Sequence, residues 1–267
     1  MAKKDKKLSG AELFDAYYSE LYGERWNSLK AALLGDPCQC GYSHNLLKTY
    51  YLDTGSVRAA KALPLEGAEQ IADFCAAPGG KSLVIASTMP GGATLVSNER
   101  SRDRKTRLQK VLDEHLPEET RSRVSVSGFD ASCWCNHERE AYDRILLDAP
   151  CSSERHVMAD LKYLALWTPA RVRNLAVAQW ALLSSAFLVL KSGGYMVYST
   201  CALAYAENDG VIKKLLKKYE GASVVSLPEI DPDGLCNGEK TEFGIHVLPD
   251  KQNGAGPLYF ALIHKEF

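Results

Sequence analysis

The sequence predicts a doubly wound α/β fold with a mostly parallel sheet of seven strands and an antiparallel last strand. From residue 69 onward, short apolar runs alternate with helical segments, and this alternation is typical of a parallel sheet with helices on both faces. Only a short turn region around residues 251–254 separates the last two apolar runs, so we expect these two strands to be antiparallel neighbours. Residues 1–68 lack the alternation and predict a small helical N-terminal extension.

The composition is that of a soluble globular protein of ordinary size. Its 267 residues are 46% hydrophobic and 24% charged, with a net charge of −1, which suits one large domain with a substantial core. No stretch approaches 18 uncharged apolar residues, and the basic start of the chain leads into no apolar segment. The sequence therefore predicts no membrane span and no secretory leader. Eight cysteines without such a leader favour a reducing compartment over a disulfide framework, and we expect a cytoplasmic protein.

The N-terminal extension is predicted to contain two helices and a connector. Ser9 is placed to cap the first helix, which carries apolar residues at helical spacing: Leu13, Phe14, Tyr17, Leu21 and Tyr22. A second helix over residues 25–34 ends at a Gly-Asp-Pro sequence. Residues 36–68 have no clean period and predict a connector to the main domain, which we place at residues 69–267.

The main domain is predicted to alternate strands and helices in a regular order. The strands are predicted at residues 71–74, 93–97, 124–126, 144–147, 195–198, 243–247 and 258–263. The helices between them are predicted at residues 82–88, 101–115, 168–190 and 208–219. The longest helix places four apolar side chains on one face at a spacing of three to four residues, which indicates a core helix: Ala176, Trp180, Leu183 and Phe187.

The first strand-to-helix turn of the main domain is rich in small residues. Its sequence over residues 73–82 is Asp-Phe-Cys-Ala-Ala-Pro-Gly-Gly-Lys-Ser, at the place where a doubly wound fold binds a nucleotide-like ligand. The end of the turn is similar to a phosphate-binding P-loop, for which Asp148 would hold Mg²⁺. That loop requires a glycine five positions before Gly80, where this chain has Cys75, so the amide nest for phosphates is not expected.

An adenosine-containing cofactor without phosphates is therefore the expected ligand of this turn, because small residues let the backbone approach it closely. The expected contacts are Cys75, Ala76, Ala77, Pro78, Gly79, Gly80 and Lys81. Glu99 ends the second strand, where an acid binds a ribose diol, and Asp130 follows the third strand, where a carboxylate suits the adenine amine. For each acid alone, a helix N-cap is the ordinary explanation. Together with Asp148 after the fourth strand, they form a more specific pattern.

Two cysteines follow apolar strands and predict covalent chemistry. Cys151 follows the strand at 144–147 and Cys201 follows the strand at 195–198, so both are expected at the carboxyl ends of a parallel sheet. A partly exposed thiol near charged groups can become the thiolate that attacks a substrate, whereas an ordinary free cysteine is a small buried hydrophobe. We expect one thiol to attack and the other to assist.

Other residue clusters carry weaker predictions. Basic side chains form two clusters, which indicates either solvated helix faces or phosphate contacts. The first cluster is Arg100, Arg102, Arg104, Lys105, Arg107 and Lys110, and the second is Lys213, Lys214, Lys217 and Lys218. Within the first, Arg104 is able to turn inward to the cofactor. Two cysteine pairs with nearby histidines lack the spacing of a usual zinc knuckle, and no metal site is expected: Cys38, Cys40 and His44, and Cys133, Cys135 and His137. Of the four tryptophans, Trp167 has the best placement to face a substrate.

The motifs together resemble the Nop/Sun, or Fmu-type, RNA 5-methylcytosine methyltransferases. The resemblance covers about residues 69–264 and rests on the small-residue turn, on Asp-Ala-Pro-Cys at 148–151 and on Ser-Thr-Cys at 199–201. The sequences at 14–18 and 151–156 are similar to the short ribosomal-RNA branch, typified by the mitochondrial rRNA enzyme. The resemblance implies a Rossmann-like class I methyltransferase domain and S-adenosylmethionine as methyl donor. It also implies Cys201 as the nucleophile and Cys151 as a supporting thiol.

The chemistry of cytosine accounts for these residue types. Cytosine C5 becomes nucleophilic only after a group such as the Cys201 thiolate adds to C6, and Asp148 is the candidate to polarise N3. Cys151 would then assist release of the adduct, although the DNA enzymes use the thiol at this Pro-Cys position as the nucleophile. The base must be unstacked, so the expected partner is a loop or single strand of RNA, with ribosomal RNA preferred over tRNA. Residues 1–68 or a protein partner would select the substrate. A catalytically idle RNA-binding or assembly factor is the alternative of another class.

Overall fold

The computed structural model describes residues 8–267, and the predicted basic start of the chain lies outside the described residues. The helices are α1 Gly10–Tyr22, α2 Trp26–Leu34, α3 Thr54–Lys61, α4 Gly80–Thr88, α5 Arg102–His115, α6 Glu118–Arg121, α7 Glu154–Ala159, α8 Leu161–Ala165, α9 Pro169–Val189 and α10 Asp209–Lys218. The strands are β1 Gln39–Tyr42, β2 Tyr50–Asp53, β3 Gln70–Phe74, β4 Thr94–Asn98, β5 Val124–Ser127, β6 Tyr142–Asp148, β7 Leu190–Thr200, β8 Ala222–Val225, β9 Glu239–Lys240, β10 Ile245–Val247 and β11 Leu258–Lys265.

The main sheet confirms the predicted fold class. Its strand order is β5-β4-β3-β6-β7-β11-β10-β9, and β8 also pairs with β11. The five strands from β3 to β7 pair with one another in parallel, whereas β11 is antiparallel to both β7 and β10. Buried side chains from both faces of these strands form two large hydrophobic clusters, as expected of a sheet covered by helices on both sides.

The sheet is wider than the sequence predicts, with nine strands rather than seven within residues 8–267. The two additions are β8 and β9, which are four and two residues long. Both lie at the edge of the sheet, where β8 pairs with β11 and β9 pairs with β10 through backbone hydrogen bonds. The C-terminal half of β11 pairs with β8, while its N-terminal half pairs with β10. Short, half-exposed edge strands carry no clear alternation, so sequence patterns do not indicate them.

The extension contains more structure than a pair of helices and a connector. Ser9 caps α1 as expected, because its hydroxyl accepts a hydrogen bond from the Glu12 amide while the Glu12 carboxylate accepts one from the Ser9 amide. Where the connector was expected, β1 and β2 form a two-stranded antiparallel sheet that leads into α3. These short elements are held by packing against α4, in a small cluster that includes Leu52, Val57 and Val84.

The helices of the extension share a hydrophobic core with the main domain. Phe14, Tyr18 and Trp26 are almost completely buried, and they pack against residues from α7, from the segment before α9 and from the segment after β7. The rings of Phe14 and Trp167 meet at 5.2 Å between centroids. Burial of one large apolar side chain contributes about 1.5–3 kcal/mol, so this shared core ties the extension firmly to the segments that follow β6 and β7.

Helix α9 is the one helix among the described residues that is long and apolar enough to cross a membrane, judged by length and composition alone. Half of its most apolar window is buried inside the protein. Val172, Leu183 and Phe187 are among its buried residues, and the last two belong to the cluster that covers one face of the sheet. We therefore interpret α9 as the core helix that the sequence predicts.

Candidate active site

Two adjoining cavities open at the carboxyl ends of the parallel strands, where a doubly wound fold binds its ligands. The larger, of about 970 Å³, is lined by Cys151 and Cys201 with Asp148 and Lys81. The smaller, of about 590 Å³, is lined by Glu99, Asp130 and the side chains around them. Three residues line both cavities: Cys75, Arg104 and Pro150. The predicted reactive residues and the predicted cofactor-binding acids thus lie in separate but contiguous spaces.

The two cysteines meet in the larger cavity. Cys151 follows β6 and Cys201 follows β7, and these strands are parallel neighbours. Their sulfur atoms lie 2.9 Å apart, and the hydroxyl of Ser153 lies 3.1 Å from the Cys201 sulfur. Ser153 has a φ of 51°, in the left-handed region, at the start of α7. Both cysteines line the cavity and are intermediate in exposure as residues.

The hydrogen bonds between these groups make the two thiols unequal. The hydrogen bond from Cys151 lowers the pKa of the Cys201 thiol, although burial opposes the shift, and Ser153 lowers it further. The hydrogen bond to Cys201, together with burial, raises the pKa of Cys151 well above its usual range. The Ser153 hydroxyl lies 3.1 Å from the Cys201 sulfur and 3.6 Å from the Cys151 sulfur, which is the geometric difference between the two thiols. The thiolate is the reactive form, and the assignment of Cys201 as the nucleophile stays a prediction.

Asp148 and Lys81 form an ion pair beside the thiols. The Lys81 ammonium donates to one Asp148 oxygen at 2.8 Å, and the Ser199 hydroxyl donates to the other at 2.8 Å. Burial lowers the pKa of Lys81, but the Asp148 carboxylate outweighs it and holds that pKa above its usual value. Lys81, which the sequence predicts to bind cofactor, lies with Asp148 in the thiol cavity. An ammonium and a carboxylate are thus available beside the thiols.

The small-residue turn is shaped by packing as much as by the needs of a ligand. Gly79 has a φ of 119°, and a Cβ there would lie 3.1 Å from Leu108 and Val111 of α5. Ala76 and Ala77 are buried. Of the seven predicted contacts in this turn, Cys75 and Lys81 line these two cavities and the other five do not. Gly79 also serves packing against α5, and the predicted role of the glycines in ligand approach stays a prediction.

The turn also departs from a P-loop at its last residue. The Ser82 hydroxyl, which would reach Mg²⁺ in a P-loop, donates to the buried carboxylate of Asp73 at 2.5 Å. Burial raises the pKa of Asp73 to about 7. Cys75, at the position of the missing glycine, has a φ of 64°, and burial, with the Glu99 charge, raises its pKa to about 12. Cys75 therefore stays a thiol at neutral pH and is not a second nucleophile.

The smaller cavity fits the adenosine part of S-adenosylmethionine. Glu99 is only 4% exposed; one of its oxygens accepts from the Ser101 amide at 2.8 Å. The other lies 3.2 Å from Arg104 and has no hydrogen-bond partner in the part of the chain that the structure describes, so it can accept from a ribose hydroxyl. Phe129, 65% exposed, offers a flat apolar wall for an adenine ring. Phe129 follows Gly128 and precedes Asp130, but the sequence did not predict it as a cofactor contact.

The predicted acids also carry the capping roles that are their ordinary explanation. Asp130 accepts from the Ser132 amide at 3.0 Å and so caps the short helix that follows. The Ser132 hydroxyl lowers the pKa of Asp130, and the ion pair with Arg100 lowers it further. Arg104 turns inward and donates to the Ala77 carbonyl at 2.8 Å. Two members of the first basic cluster, Arg100 and Arg104, are thus engaged with the cavity rim.

Three further findings complete the description of the site. Trp167, which of the four tryptophans had the best placement to face a substrate, does not do so: it is 2% exposed and packs in the core shared with α1, which is the ordinary role of a tryptophan. Asp53 lines the larger cavity and accepts from the amides of Gly55 and Gly256 at 2.8 Å each, while burial raises its pKa. The sequence analysis did not indicate Asp53, which in the structure also caps α3. Within residues 8–267 no group of three His, Cys, Asp or Glu side chains is placed to hold a metal ion.

Residues 60–264 match the family model described as 16S rRNA methyltransferase RsmB/F. The chain belongs to this family. The resemblance that the motifs indicated is thereby confirmed, and the RsmB/F match begins within α3 and ends within β11.

Individual members of the wider family are similar over most of the chain. The mouse 5-cytosine rRNA methyltransferase NSUN4 is 31% identical over 243 residues, which cover 86% of this chain and 63% of NSUN4. The zebrafish mitochondrial tRNA (cytosine(34)-C(5))-methyltransferase is 34% identical over 236 residues, which cover 86% of this chain and 64% of that protein. The chain therefore spans less than two thirds of the length of either relative.

Solved structures support the fold of the RsmB/F match. A methyltransferase homologue from Pyrococcus horikoshii superposes with a TM-score of 0.72 at 21% identity, covering 95% of both chains. NSun6 from the same organism, solved with SFG, superposes with a TM-score of 0.68 at 24% identity, covering 84% of this chain and 54% of NSun6. The class I, Rossmann-like methyltransferase fold is thus confirmed.

Proposed function

We propose that this protein transfers a methyl group from S-adenosylmethionine to C5 of a cytosine in RNA. The observation that carries the proposal is the thiol pair: Cys151 and Cys201 share a hydrogen bond in a cavity that adjoins a fitting adenosine site. Relatives that are named as rRNA and tRNA cytosine methyltransferases support the substrate class. We propose ribosomal RNA as the substrate, with tRNA as the alternative.

The first step in this proposal is addition of Cys201 to the cytosine. The thiolate sulfur forms a bond to C6, and the electron pair of the C5–C6 double bond moves toward N3, which takes up a proton. Lys81 and Asp148 stand beside the thiols as a proton-bearing group and an acceptor. Together they stabilise the charge that develops on the ring. The adduct makes C5 nucleophilic.

The later steps use the second thiol. S-adenosylmethionine, when bound, would supply an electrophilic methyl group to C5 and leave as S-adenosylhomocysteine. The C5 proton and the N3 proton are then lost to a base or to water, the bond between C6 and the Cys201 sulfur breaks, and the C5–C6 double bond returns. Cys151 is placed to donate a hydrogen bond to the departing Cys201 thiolate, which makes it the better leaving group. We propose this assistance, rather than nucleophilic attack, as the role of Cys151.

The surrounding protein supports a role on unpaired RNA in a reducing compartment. The sulfur atoms lie inside a cavity, so a cytosine must leave its stack to reach them. All eight cysteines are free in the structure, and oxidation would block the chemistry, which supports the proposed cytoplasmic location. We also propose that the extension, or a protein partner, contributes to the choice of RNA.

Methyl transfer to defined RNA fractions tests the function. The wild-type protein, incubated with labelled S-adenosylmethionine and separate rRNA and tRNA lacking 5-methylcytosine, should label C5 of cytosine in one fraction. Cys201→Ser should abolish both labelling and the covalent adduct with 5-azacytosine RNA, because a hydroxyl is far less ionised than a thiol at neutral pH. An adduct formed by the Cys201→Ser protein would refute the nucleophile assignment. Failure of the folded wild-type protein to label any RNA would support an idle binding factor.

A further inference from the structure

A buried carboxylate lies beneath the two cysteine loops and contacts both of them. Glu154 has no exposed surface. One of its oxygens accepts from the hydroxyl of Ser152, the residue after Cys151. Its other oxygen accepts from the amide of Leu203, two residues after Cys201, at 3.1 Å. A single carboxylate thus joins the backbone segments that carry the two thiols, although these segments are about fifty positions apart in the chain.

Helix α1 reaches the same point from the N-terminal extension. The Tyr18 hydroxyl donates to the Glu154 oxygen that also receives Ser152, and Tyr18 itself has no exposed surface. One turn later, the Tyr22 hydroxyl donates to the Leu203 carbonyl at 2.8 Å. The extension therefore contacts both the carboxylate and the segment that follows Cys201.

A second buried acid holds the Cys151 loop from its other side. Glu207 accepts from the Ser152 amide at 2.9 Å and from the Gln179 side chain at 2.8 Å, and Gln179 also donates to the Pro150 carbonyl at 2.9 Å. The Cys151 loop is thus fixed on two sides. Glu207 lies in the segment that follows Cys201, so both acids link the two cysteine loops. Of the two, it is Glu154 that also accepts a hydrogen bond from Tyr18 of the extension.

We propose that Glu154 is a positioning residue that keeps Cys151 and Cys201 in hydrogen-bonding contact, and that Tyr18 holds Glu154 in place. The inference rests on the proposed function, in which Cys201 is the nucleophile. A pair of thiols at 2.9 Å depends on the relative placement of two loops, and a displacement of about 1 Å at a catalytic group can reduce its rate up to about a hundredfold. Glu154 does not line the cavity and acts only through the loops.

Alkylation of Cys201 tests this role without RNA or cofactor. The rate of iodoacetamide reaction at Cys201, followed by peptide mass spectrometry across a range of pH, reports its thiolate population. Glu154→Ala should slow alkylation at neutral pH on the order of tenfold and move the pH profile upward, as Cys151→Ala should. Combining the two substitutions should add no further effect, because both break the same contact. A normal profile in Glu154→Ala, or effects that multiply in the double variant, would overturn the proposal.

Conservative variants separate positioning from loss of folding. Glu154→Gln keeps a carbonyl oxygen that can accept from the Leu203 amide. Its side-chain NH2 group can donate to the hydroxyls of Tyr18 and Ser152. This variant should therefore retain the wild-type pH profile of Cys201 alkylation. If Glu154→Ala does not fold, Tyr18→Phe decides, since it should shift the Cys201 profile in the same direction. Its matched control is Tyr42→Phe, which removes a buried hydroxyl bonded to Ser87. Equal profiles for the two tyrosine variants would refute the proposal, whereas absent methyl transfer in the wild type would refute only the proposed function.

Discussion

Replacing Glu99 with Ala should weaken the binding of S-adenosylmethionine by about 1.5–3 kcal/mol, the contribution of a hydrogen bond to a charged group. One Glu99 oxygen is already occupied by the Ser101 amide at 2.8 Å, so the ligand would gain its bond from the other oxygen, which has only the Arg104 ion pair at 3.2 Å. The expected loss of binding free energy is therefore that of one charge-assisted hydrogen bond between the ligand and Glu99. It corresponds to a rise in Kd of about tenfold to 150-fold.

Titration calorimetry with S-adenosylmethionine measures this change directly. Glu99→Gln keeps an oxygen for the Ser101 amide but removes the charge, so its loss should be smaller than that of Glu99→Ala. The control is Glu20→Gln, an exposed position on α1, which should bind as the wild type does. A Kd that stays within about twofold of the wild type in Glu99→Ala would refute the placement of the ribose at Glu99. Affinity that falls after treatment with EDTA would contradict the expectation that no metal takes part.

Three further predictions concern the thiols and the RNA. Cys151→Ala should form the RNA adduct but release it slowly, so that a covalent complex accumulates and is visible on denaturing gels. Turnover at the wild-type rate would show that Cys151 has only a packing role. The same variant removes the hydrogen bond that lowers the pKa of Cys201. The pH at which the rate of adduct formation rises should therefore be higher than in the wild type, and an unchanged pH dependence would contradict this. Reversing Arg102, Lys105 and Lys110 to Glu should raise the Kd for RNA and reduce its salt dependence, while S-adenosylmethionine binding stays unchanged. Equal RNA affinity at low salt would show that this face is merely solvated.

The central architecture and the reactive residues were predictable because they depend on local patterns. Apolar runs and helical periods mark β3 to β7 and their helices, and a residue that follows a parallel strand has its position set by that strand. Cys151 and Cys201 could thus be assigned to one end of the sheet before their contact was seen. Their approach to 2.9 Å required one further fact, the pairing of β6 with β7, which no local pattern contains.

The remaining features depend on contacts between distant parts of the chain. Glu154 has the sequence character of an exposed acid at a helix start, and its burial involves distant residues such as Tyr18, 136 positions earlier. The burial of Trp167 likewise depends on the aromatic residues of α1, and no local pattern indicates that these residues cover it. Local patterns also fail for β8 and β9, whose strand conformation is set by the partners they pair with.

The aromatic core beneath α1 has a consequence for local stability. The match to the family model begins at residue 60, yet Phe14, Tyr18 and Trp26 bury their rings against segments that follow residue 150. Cooperative units of opening follow shared burial, and not the limits of sequence similarity. Amide hydrogens of α1 and of the loops after Cys151 and Cys201 should therefore exchange with solvent as one unit. Detachment of α1 and loss of the thiol geometry would then be the same opening event.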